Sequence, residues 1–454
     1  ARERGMTYVT LTDHNTIEGG LTLAHHDDFF LSEEITTYFP DEDVKLHVLA
    51  LGITEAQHRE IQALRRNLYE LVAYLKNEDL LYVLAHPLTR LGGELTPGHI
   101  ERLMLLFPIW EVHNGSTLER ENTLSRRLAE LSSASKLAEL AALHNLKPMH
   151  GGNITYTAGS DDHAGFDIAS ARTVTRDASS IAGFLNEVKS GRSSIEGAHG
   201  STLKLAHTML GLLVHGVEQS GEGKGKSRNR HKGKNKGFGL LGQARAGHKW
   251  LSLVSLAIGG DSTTGLLKKV MADRELRHAI LPLLRGGHAG EAGSEQFHNQ
   301  LYSLVNAAWT SGMRSTLSKL SDLTLVNFIE NLDLIGRLVA LQILLLPHSL
   351  ASNYHSRQRH FIRRLSSQML PDLPTTEGPW PRVALFSDTR DQVNGVTSII
   401  GRLDEYCQSE KLPLEIIGCG EEGNDGRITR FPAVASLNMP DFGDLDMTVP
   451  PVLD

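Results

Sequence analysis

Carboxylates and histidines recur beside short apolar runs in the first part of the sequence. In the segment Gly159-Ser160-Asp161-Asp162-His163, Asp161 and His163 are two positions apart, so both side chains leave the same face of an extended chain. A carboxylate beside an imidazole suits a divalent metal better than it suits a hydrophobic core. Earlier segments supply further candidate metal ligands of the same kind, namely His14, Glu34, His47 and His86.

The candidate ligands combine imidazoles with carboxylates and include no thiolate. This mixture fits Zn, Mn or Fe in a multinuclear hydrolytic site. Each residue alone has a simpler explanation. His47 could be a core histidine, Glu34 a solvated turn residue, and His86 a strand stop before proline. Asp13 could cap a local turn. The joint occurrence of these residues at the ends of apolar runs favours a shared site, and for His113 both a metal-ligand role and a role as polar lining remain open.

Apolar runs alternate with amphipathic helical segments over the first 200 residues. The predicted strands include 6–12, 46–52, 80–85, 107–112 and 154–160, and the predicted helices include 54–78 and 117–145. This alternation predicts an α/β fold with a parallel sheet. Polar residues after several strands indicate a closed barrel with its site on the C-terminal rim. An open doubly wound sheet is the alternative, although no glycine-rich phosphate loop follows the first strand.

Residues 201–378 differ in character and are predicted to be mostly helical. Within them, 221–239 carries basic residues and glycines with almost nothing apolar, which predicts a disordered, dispensable loop. Contact of this loop with nucleic acid is not favoured, because no aromatic residues are interleaved for base stacking. The apolar run 334–346 is too short for a membrane span and is predicted to be a buried helix that ends at Pro347.

Residues 379–454 form a third predicted unit. A buried strand at 382–387, a loop at 388–395, a helix at 396–406 and a second strand at 414–418 give the opening βαβ of a nucleotide-binding type of domain.

The bulk properties set outer limits on function. A chain of 454 residues has room for two or three domains. A net charge of −7 argues against a general polyanion binder. The two cysteines, Cys407 and Cys419, form no CxxC motif, which predicts a reducing, cytoplasmic setting.

Residues 1–200 resemble the PHP (polymerase and histidinol phosphatase) superfamily. The segments that carry the resemblance are Thr12-Asp13-His14-Asn15-Thr16, Glu34-Ile35-Thr36-Thr37, His47, Ala85-His86-Pro87, Glu111-Val112-His113-Asn114-Gly115 and Gly159-Ser160-Asp161-Asp162-His163. The resemblance implies a distorted (βα)7 TIM-like barrel with two or three metal ions that hydrolyses phosphate esters of a small molecule or nucleotide. It implies catalytic roles for Asp13, His14, Glu34, His86, Asp161 and His163.

The same resemblance implies how the ions are shared. Glu34 would bridge two ions, His47 and His86 would serve one of them, and His14 with His163 would serve a third. Asp161 would join a His-x-His pair that the family carries on its first strand. The sequence opens downstream of that pair, so we expect the chain to lack this strand, to bind metal incompletely and to hydrolyse phosphate esters poorly.

Residues 379–454 resemble the start of a GT-B glycosyltransferase of the family 4-like group, on the evidence of the strand 382–387 and of Val393-Asn394-Gly395-Val396 opening a helix. This implies a Rossmann-like domain that binds a nucleotide-sugar donor near Gly395, at a helix N-terminus that favours the diphosphate. Sugar transfer as the main activity, with an accessory PHP unit, is therefore an alternative function. A third hypothesis is that the PHP unit has no turnover.

Overall fold

The computed structural model describes residues 1–40, 42–222, 274, 276–279, 294–320, 332–371, 383–387, 395–419, 423–425, 428–433, 435–439 and 445–449. The fold is mixed α/β, and the chain divides into two compact units. Of the described residues, the first unit contains 1–212, 294 and 348–371, and the second contains the remainder.

The described strands are β1 (Ser32–Tyr38), β2 (Lys45–Leu51), β3 (Leu81–Leu84), β4 (Ile109–Asn114), β5 (Thr155–Gly159), β6 (Ala171–Thr175), β7 (Ser193–Gly197), β8 (Val383–Ser387), β9 (Leu414–Cys419), β10 (Gly423–Asp425), β11 (Ile428–Phe431), β12 (Ala435–Met439) and β13 (Leu445–Val449). The described helices are α1 (Glu18–Leu21), α2 (Glu55–Leu64), α3 (Leu68–Asn77), α4 (Pro97–Leu106), α5 (Glu119–Glu130), α6 (Ala134–His144), α7 (Ile181–Lys189), α8 (Thr202–Glu222), α9 (Glu295–Leu320), α10 (Leu332–Met369) and α11 (Gly395–Ser409).

The first unit is built on a five-stranded sheet in the order β1-β2-β3-β4-β5. The prediction of a parallel sheet is wrong for its first half, because β2 runs antiparallel to both β1 and β3. Only β3–β4 and β4–β5 are parallel. The connection from β1 to β2 covers residues 39–44, and a parallel crossover needs about a dozen residues or more. The strands β6 and β7 form a separate antiparallel pair.

The predicted strand at 6–12 is not a regular strand. Within it, Val9 forms an isolated parallel bridge to Phe29, and His14, two residues after the predicted strand, forms another to Glu34 of β1. The chain opposite residues 6–12 becomes a regular strand only at Ser32, where β1 begins. Residues 6–12 therefore have almost no regular strand with which to form a continuous ladder.

The five-stranded sheet is covered on both faces. On one face, Ile35, Val48 and Trp110 join the main core, to which α3 to α6 and the end of α10 contribute. On the other face, Val83 and Ile109 pack with Val188 of α7 in a smaller core. Each fully buried aliphatic side chain stabilises the fold by about 1.5–3 kcal/mol.

The predicted helix 54–78 is two helices, α2 and α3. The break falls at Asn67, whose side-chain oxygen accepts hydrogen bonds from the backbone N–H groups of Tyr69 and Glu70. Such an N-cap stabilises a helix start by about 1 kcal/mol. The Asn67 cap therefore favours the start of a new helix over continuation of α2, although the helical spacing of apolar residues continues across the break.

The prediction that a helix ends at Pro347 is also wrong, because α10 continues through Pro347 to Met369. A proline inside a helix costs about 3 kcal/mol through the lost donor and the clash of its ring. Ala351, Phe361 and Leu365, which follow the proline, are all nearly fully buried. Burial of this later stretch offsets the cost of the proline.

The second unit contains the predicted βαβ. The strands β8 and β9 are parallel neighbours, and α11 connects them in sequence. Ile400 and Cys407 of α11 pack on Leu414 and Ile416 of β9. The sheet extends to β11, parallel to β9, and to β10, which is antiparallel to β11. The predicted loop 388–395 lies outside the described residues except for Gly395, which is the first residue of α11.

Of the predicted helical region, α8, α9 and α10 lie among the described residues. The predicted disordered loop at 221–239 lies outside them except for its first two residues, which end α8. Over the part of the chain that is described, no helix has the length and apolar character that crossing a membrane requires.

Glu121 on α5 offers a test of how this fold responds to pH. Its side chain is only 3% exposed, and one carboxylate oxygen has no hydrogen-bond partner among the described residues. Burial raises the pKa of Glu121 from 4.5 to about 7, against the opposing effects of Arg120 and Gln358. Between these two values the folded state holds a proton that the unfolded state has lost, so the free energy of unfolding falls as the pH rises from about 4.5 to about 7.

We expect Glu121→Gln to be more stable than the parent protein at pH 8, by about 1–3 kcal/mol, and to show a much smaller gain at pH 5. Urea unfolding at the two pH values measures this difference. An equal effect at both values would show that ionisation of Glu121 is not the cause.

Candidate metal centre

The carboxylate of Glu34 lies among three imidazoles. Its Oε1 atom is 2.5 Å from Nδ1 of His47 and 3.0 Å from Nε2 of His86. Its Oε2 atom is 3.9 Å from Nδ1 of His14. The two buried imidazoles are themselves close, with 3.3 Å between Nδ1 of His47 and Nε2 of His86. Four of the predicted ligands therefore meet at one point.

The β1–β2 hairpin positions Glu34 and His47. In its register Thr36 pairs with His47 and Glu34 pairs with Leu49. Because side chains alternate along a strand, Glu34 and His47 lie diagonally on the same face. His47 is the third residue of β2 rather than a residue at its end. The antiparallel direction of β2 is what brings an early residue of that strand to the site.

His86 follows β3 and has an unusual backbone conformation, with φ +25°. Continued strand geometry would direct residue 86 to the face of Leu84, which belongs to the main core. Instead the imidazole contacts Glu34 and His47 on the opposite face. The backbone N–H of His86 donates to Oε2 of Glu111 at 3.0 Å, which holds this conformation.

His14 is carried by the segment that bridges to β1. The N–H of Glu34 donates to the carbonyl of Asp13, and the N–H of Asn15 donates to the carbonyl of Glu34. The ring centroid of His14 is 4.8 Å from that of His47 and 5.8 Å from that of His163. The side chain of His14 is 44% exposed, so it marks the open side of the site.

Asp161 and His163 occupy the turn after β5. Nδ1 of His163 is 3.5 Å from Oδ1 of Asp161, and Nδ2 of Asn114 donates to Oδ2 of Asp161 at 3.2 Å. The hydroxyl of Ser116 donates to the carbonyl of Asp161 at 2.7 Å. His163 is 41% exposed and lies on the open side with His14. The structure thus places all six predicted ligands in one region, with a buried half and an exposed half.

Asp13 lies beside this region, and its carboxylate points elsewhere. A Cβ atom added to Gly19 would lie 2.1 Å from Oδ2 of Asp13, so the carboxylate packs directly over the start of α1. Within the described part of the chain it forms no hydrogen bond or ion pair with the site histidines. Its backbone carbonyl, through the bond to Glu34, aligns the His14 segment with β1.

The buried ionisable groups support one another. Burial alone would raise the pKa of Glu34, but the hydrogen bonds from His47 and His86 outweigh it and hold that pKa well below its usual range. Burial disfavours the charged form of His86, yet the Glu34 carboxylate dominates and raises its pKa to about 10. Burial lowers the pKa of His47. The hydrogen bonds of these two imidazoles therefore favour the ionised form of the Glu34 carboxylate.

The sequence analysis placed Glu111 and Asn114 in a segment that resembles the PHP superfamily but did not predict their hydrogen bonds to the candidate ligands. The ladder between β4 and β5 shifts by one residue between Glu111 and His113. This bulge places Glu111 and Asn114, which are three positions apart, on the same face. The available signal was a carboxylate inside an otherwise apolar run. His113 turns away, with its ring 4.4 Å from that of His199 and its Nε2 atom 3.4 Å from the carbonyl of Ala198.

A second missed residue is Tyr354 on α10, about 190 residues after Asp161 in sequence. Burial is the main reason that the pKa of Tyr354 is raised to about 12, and the charges of Glu121 and Asp161 act in the same direction against that of Arg90. The last part of α10 also contacts the loop that follows His86, where Gln358 donates to the carbonyl of Leu88 at 2.7 Å. No local sequence signal connects this helix to the earlier segments.

One atom each of His14, Glu34 and His47 lie within 4.8 Å of one another, so this cluster could hold a metal ion. The donor set of imidazole nitrogens and carboxylate oxygens suits borderline divalent ions such as Zn. Comparison with protein-family models finds no match to the chain, and comparison with curated proteins finds no significant similarity.

Gly159 tests how tightly the site is packed. A Cβ atom at this position would lie 2.5 Å from Oε1 of Glu111. The Glu111 side chain is buried, and its other oxygen, Oε2, accepts two hydrogen bonds that hold it in place. We expect Gly159→Ala to lower the free energy of unfolding by about 1–3 kcal/mol through overpacking. Gly151→Ala is the matched control, because nothing lies within 4 Å of a Cβ there. Equal unfolding free energies for the two variants, measured in urea, would contradict the close approach.

Proposed function

We propose that the first unit is a metal-dependent phosphoesterase of the PHP type. The observation that carries the proposal is the contact of one buried carboxylate, Glu34, with His14, His47 and His86. A buried acid surrounded by three imidazoles is an unusual arrangement for a core, because each polar group has to be desolvated. It is an ordinary arrangement for ligands of a divalent ion.

The donor spacing fits such an ion. Donor atoms bound tetrahedrally at about 2.0–2.1 Å from a metal lie about 3.3 Å apart. The separation between His47 Nδ1 and His86 Nε2 is 3.3 Å and matches this value. Glu34 Oε1 lies closer to them, at 2.5 Å from His47 Nδ1 and 3.0 Å from His86 Nε2, as expected for groups that hydrogen-bond to one another. These three residues would hold one Zn, Mn or Fe ion in the buried half. His14, Asp161 and His163 would hold a second or third in the exposed half, with Glu34 between the halves.

When bound, the ions would lower the pKa of a coordinated water to about 7 and offset charge on the phosphoryl oxygens. The residues of the chain supply the rest. Glu34 stays ionised at neutral pH because of its imidazole partners. His14 and His163 are the exposed donors, so a phosphate ester enters from their side. Asn114 orients the Asp161 carboxylate by donating to it.

We infer further that the five-stranded sheet is part of a distorted barrel. The bridges of residues 9 and 14 extend the sheet beyond β1. At the other edge the hydroxyl of Thr173 on β6 bonds the backbone of Ala158 on β5. Arg4 donates to the carbonyl of Phe166 at 3.1 Å, which brings the two edges towards each other. These contacts support closure of the sheet around the face that carries Glu34.

A second candidate function is transfer of a sugar from a nucleotide-sugar donor by the second unit. The observation that favours it is the parallel pair β8 and β9 with α11 between them in sequence, starting at Gly395. A helix N-terminus after a parallel strand favours a diphosphate. Titration of the protein with a nucleoside diphosphate should then show binding that Gly395→Asp weakens, because the new carboxylate repels the anion.

The phosphoesterase proposal is tested by Glu34→Ala, which removes the common partner of the imidazoles. We expect loss of bound Zn or Mn by elemental analysis and loss of at least about 100-fold of any hydrolysis of p-nitrophenyl phosphate or its diester. His144→Gln is the control, because His144 also pairs with a glutamate, Glu101, at 2.7 Å but between helices outside the site.

The possible outcomes separate the hypotheses. Metal bound by the parent protein without turnover of either ester would support the metal site but not hydrolysis by this chain, as expected if the site lacks the His-x-His pair or if the first unit is non-catalytic. Equal metal content in the parent and in Glu34→Ala would exclude Glu34 as a ligand and with it the proposed site.

A further inference from the structure

A chain of three hydrogen bonds connects the two halves of the candidate metal centre. The N–H of His86 donates to Oε2 of Glu111 at 3.0 Å. Nδ2 of Asn114 donates to the same oxygen at 3.0 Å and to Oδ2 of Asp161 at 3.2 Å. His86 belongs to the buried half of the centre and Asp161 to the exposed half. Neither Glu111 nor Asn114 is among the predicted ligands.

We propose that Glu111 and Asn114 are positioning residues that set the spacing of the two metal subsites. The inference rests on the proposed function, because spacing matters only if ions bind. Glu111 would fix the backbone of His86, and Asn114 would fix the carboxylate of Asp161. Through their shared hydrogen bond, a shift at one ligand is transmitted to the other.

The backbone at both ends explains why such support is needed. His86 has φ +25° and Asp161 has φ +48°, and neither is glycine. Conformations of this kind persist in folded proteins only where neighbouring groups hold them in place. Glu111 accepts a hydrogen bond from the backbone of His86. Asn114 and Ser116 each donate a hydrogen bond to Asp161.

The surroundings show that this pair is built into the fold. Glu111 is 4% exposed and Asn114 is fully buried, so water does not compete for their hydrogen bonds. The β4 bulge is required to bring both side chains to one face. Oδ1 of Asn114 accepts from the N–H of Ser116 at 2.8 Å, which fixes the orientation of the amide and points Nδ2 at the two carboxylates.

The test is calorimetric titration of the metal-stripped full chain with Zn²⁺, which does not depend on activity. We expect Glu111→Ala and Asn114→Ala each to weaken Zn²⁺ binding by about 10–100-fold, as loss of groups that orient metal ligands typically does. We expect the double variant to be little weaker than either single variant, because either change interrupts the same chain of bonds.

Glu111→Gln separates positioning from direct ligation. Its side-chain carbonyl keeps an acceptor for both His86 N–H and Asn114 Nδ2, but the charge is lost. Positioning predicts affinity closer to the parent than to Glu111→Ala. Affinity as weak as that of Glu111→Ala would overturn the proposal and make Glu111 a ligand in its own right.

Glu121→Ala is the control for loss of a buried acid, since Glu121 is 3% exposed and forms no part of the chain of bonds. It should bind Zn²⁺ like the parent protein, with folding of every variant checked by its unfolding transition without metal. Parent-like affinity in folded Glu111→Ala and Asn114→Ala would overturn the inference while leaving the proposed function intact. Absence of binding of Zn²⁺, Mn²⁺ and Fe²⁺ alike by the parent protein would overturn both.

Discussion

The buried carboxylate of Glu34 is the constraint on which the organisation of the first unit depends. A carboxylate that is 5% exposed has lost nearly all of its hydration, and such a loss costs several kcal/mol unless charged or polar partners replace the water. His47 and His86 are those partners, and each arrives from a different strand or loop. The buried Glu34 carboxylate is therefore tolerated only when three elements are in place: the β1–β2 hairpin, the turn after β3 that carries His86, and the segment that carries His14. Once assembled, the same cluster is suited to a divalent ion.

Irregular backbone, rather than regular strands, delivers most of the site. His86 and Asp161 adopt positive φ, the β4 bulge rotates Asn114 into the site, and His14 sits on a segment that only bridges to β1. Each departure costs local stability, of the order of 1–3 kcal/mol for a strained non-glycine residue. The hydrogen bonds of Glu111, Asn114 and Ser116 hold these irregular backbone conformations in place. Packing of side chains on both faces of the sheet offsets their cost in stability.

The last part of α10 shows that the first unit is not a contiguous stretch of sequence. Gln358 donates to the carbonyl of Leu88 at 2.7 Å, two residues after His86. Phe361 and Leu365 enter the main core. A helix far along the chain thus contacts the loop that follows His86 and helps to bury the core beneath the sheet.

Residue type and local order along the chain determined the candidate ligands. Imidazoles and carboxylates beside apolar runs were enough to select His14, Glu34, His47, His86, Asp161 and His163, and the same period of apolar residues predicted the parallel βαβ at β8–α11–β9, which is confirmed. Tertiary structure alone decided the antiparallel β2, the break at Asn67, the continuation of α10 through Pro347 and the hydrogen bonds of Glu111 and Asn114. The physical reason is that periodicity reports which face of an element is buried, whereas strand direction, bulges and strained φ values depend on partners distant in sequence. His113 illustrates the difference, since its neighbours in sequence point into the site while a one-residue shift in pairing with β5 turns its own side chain away.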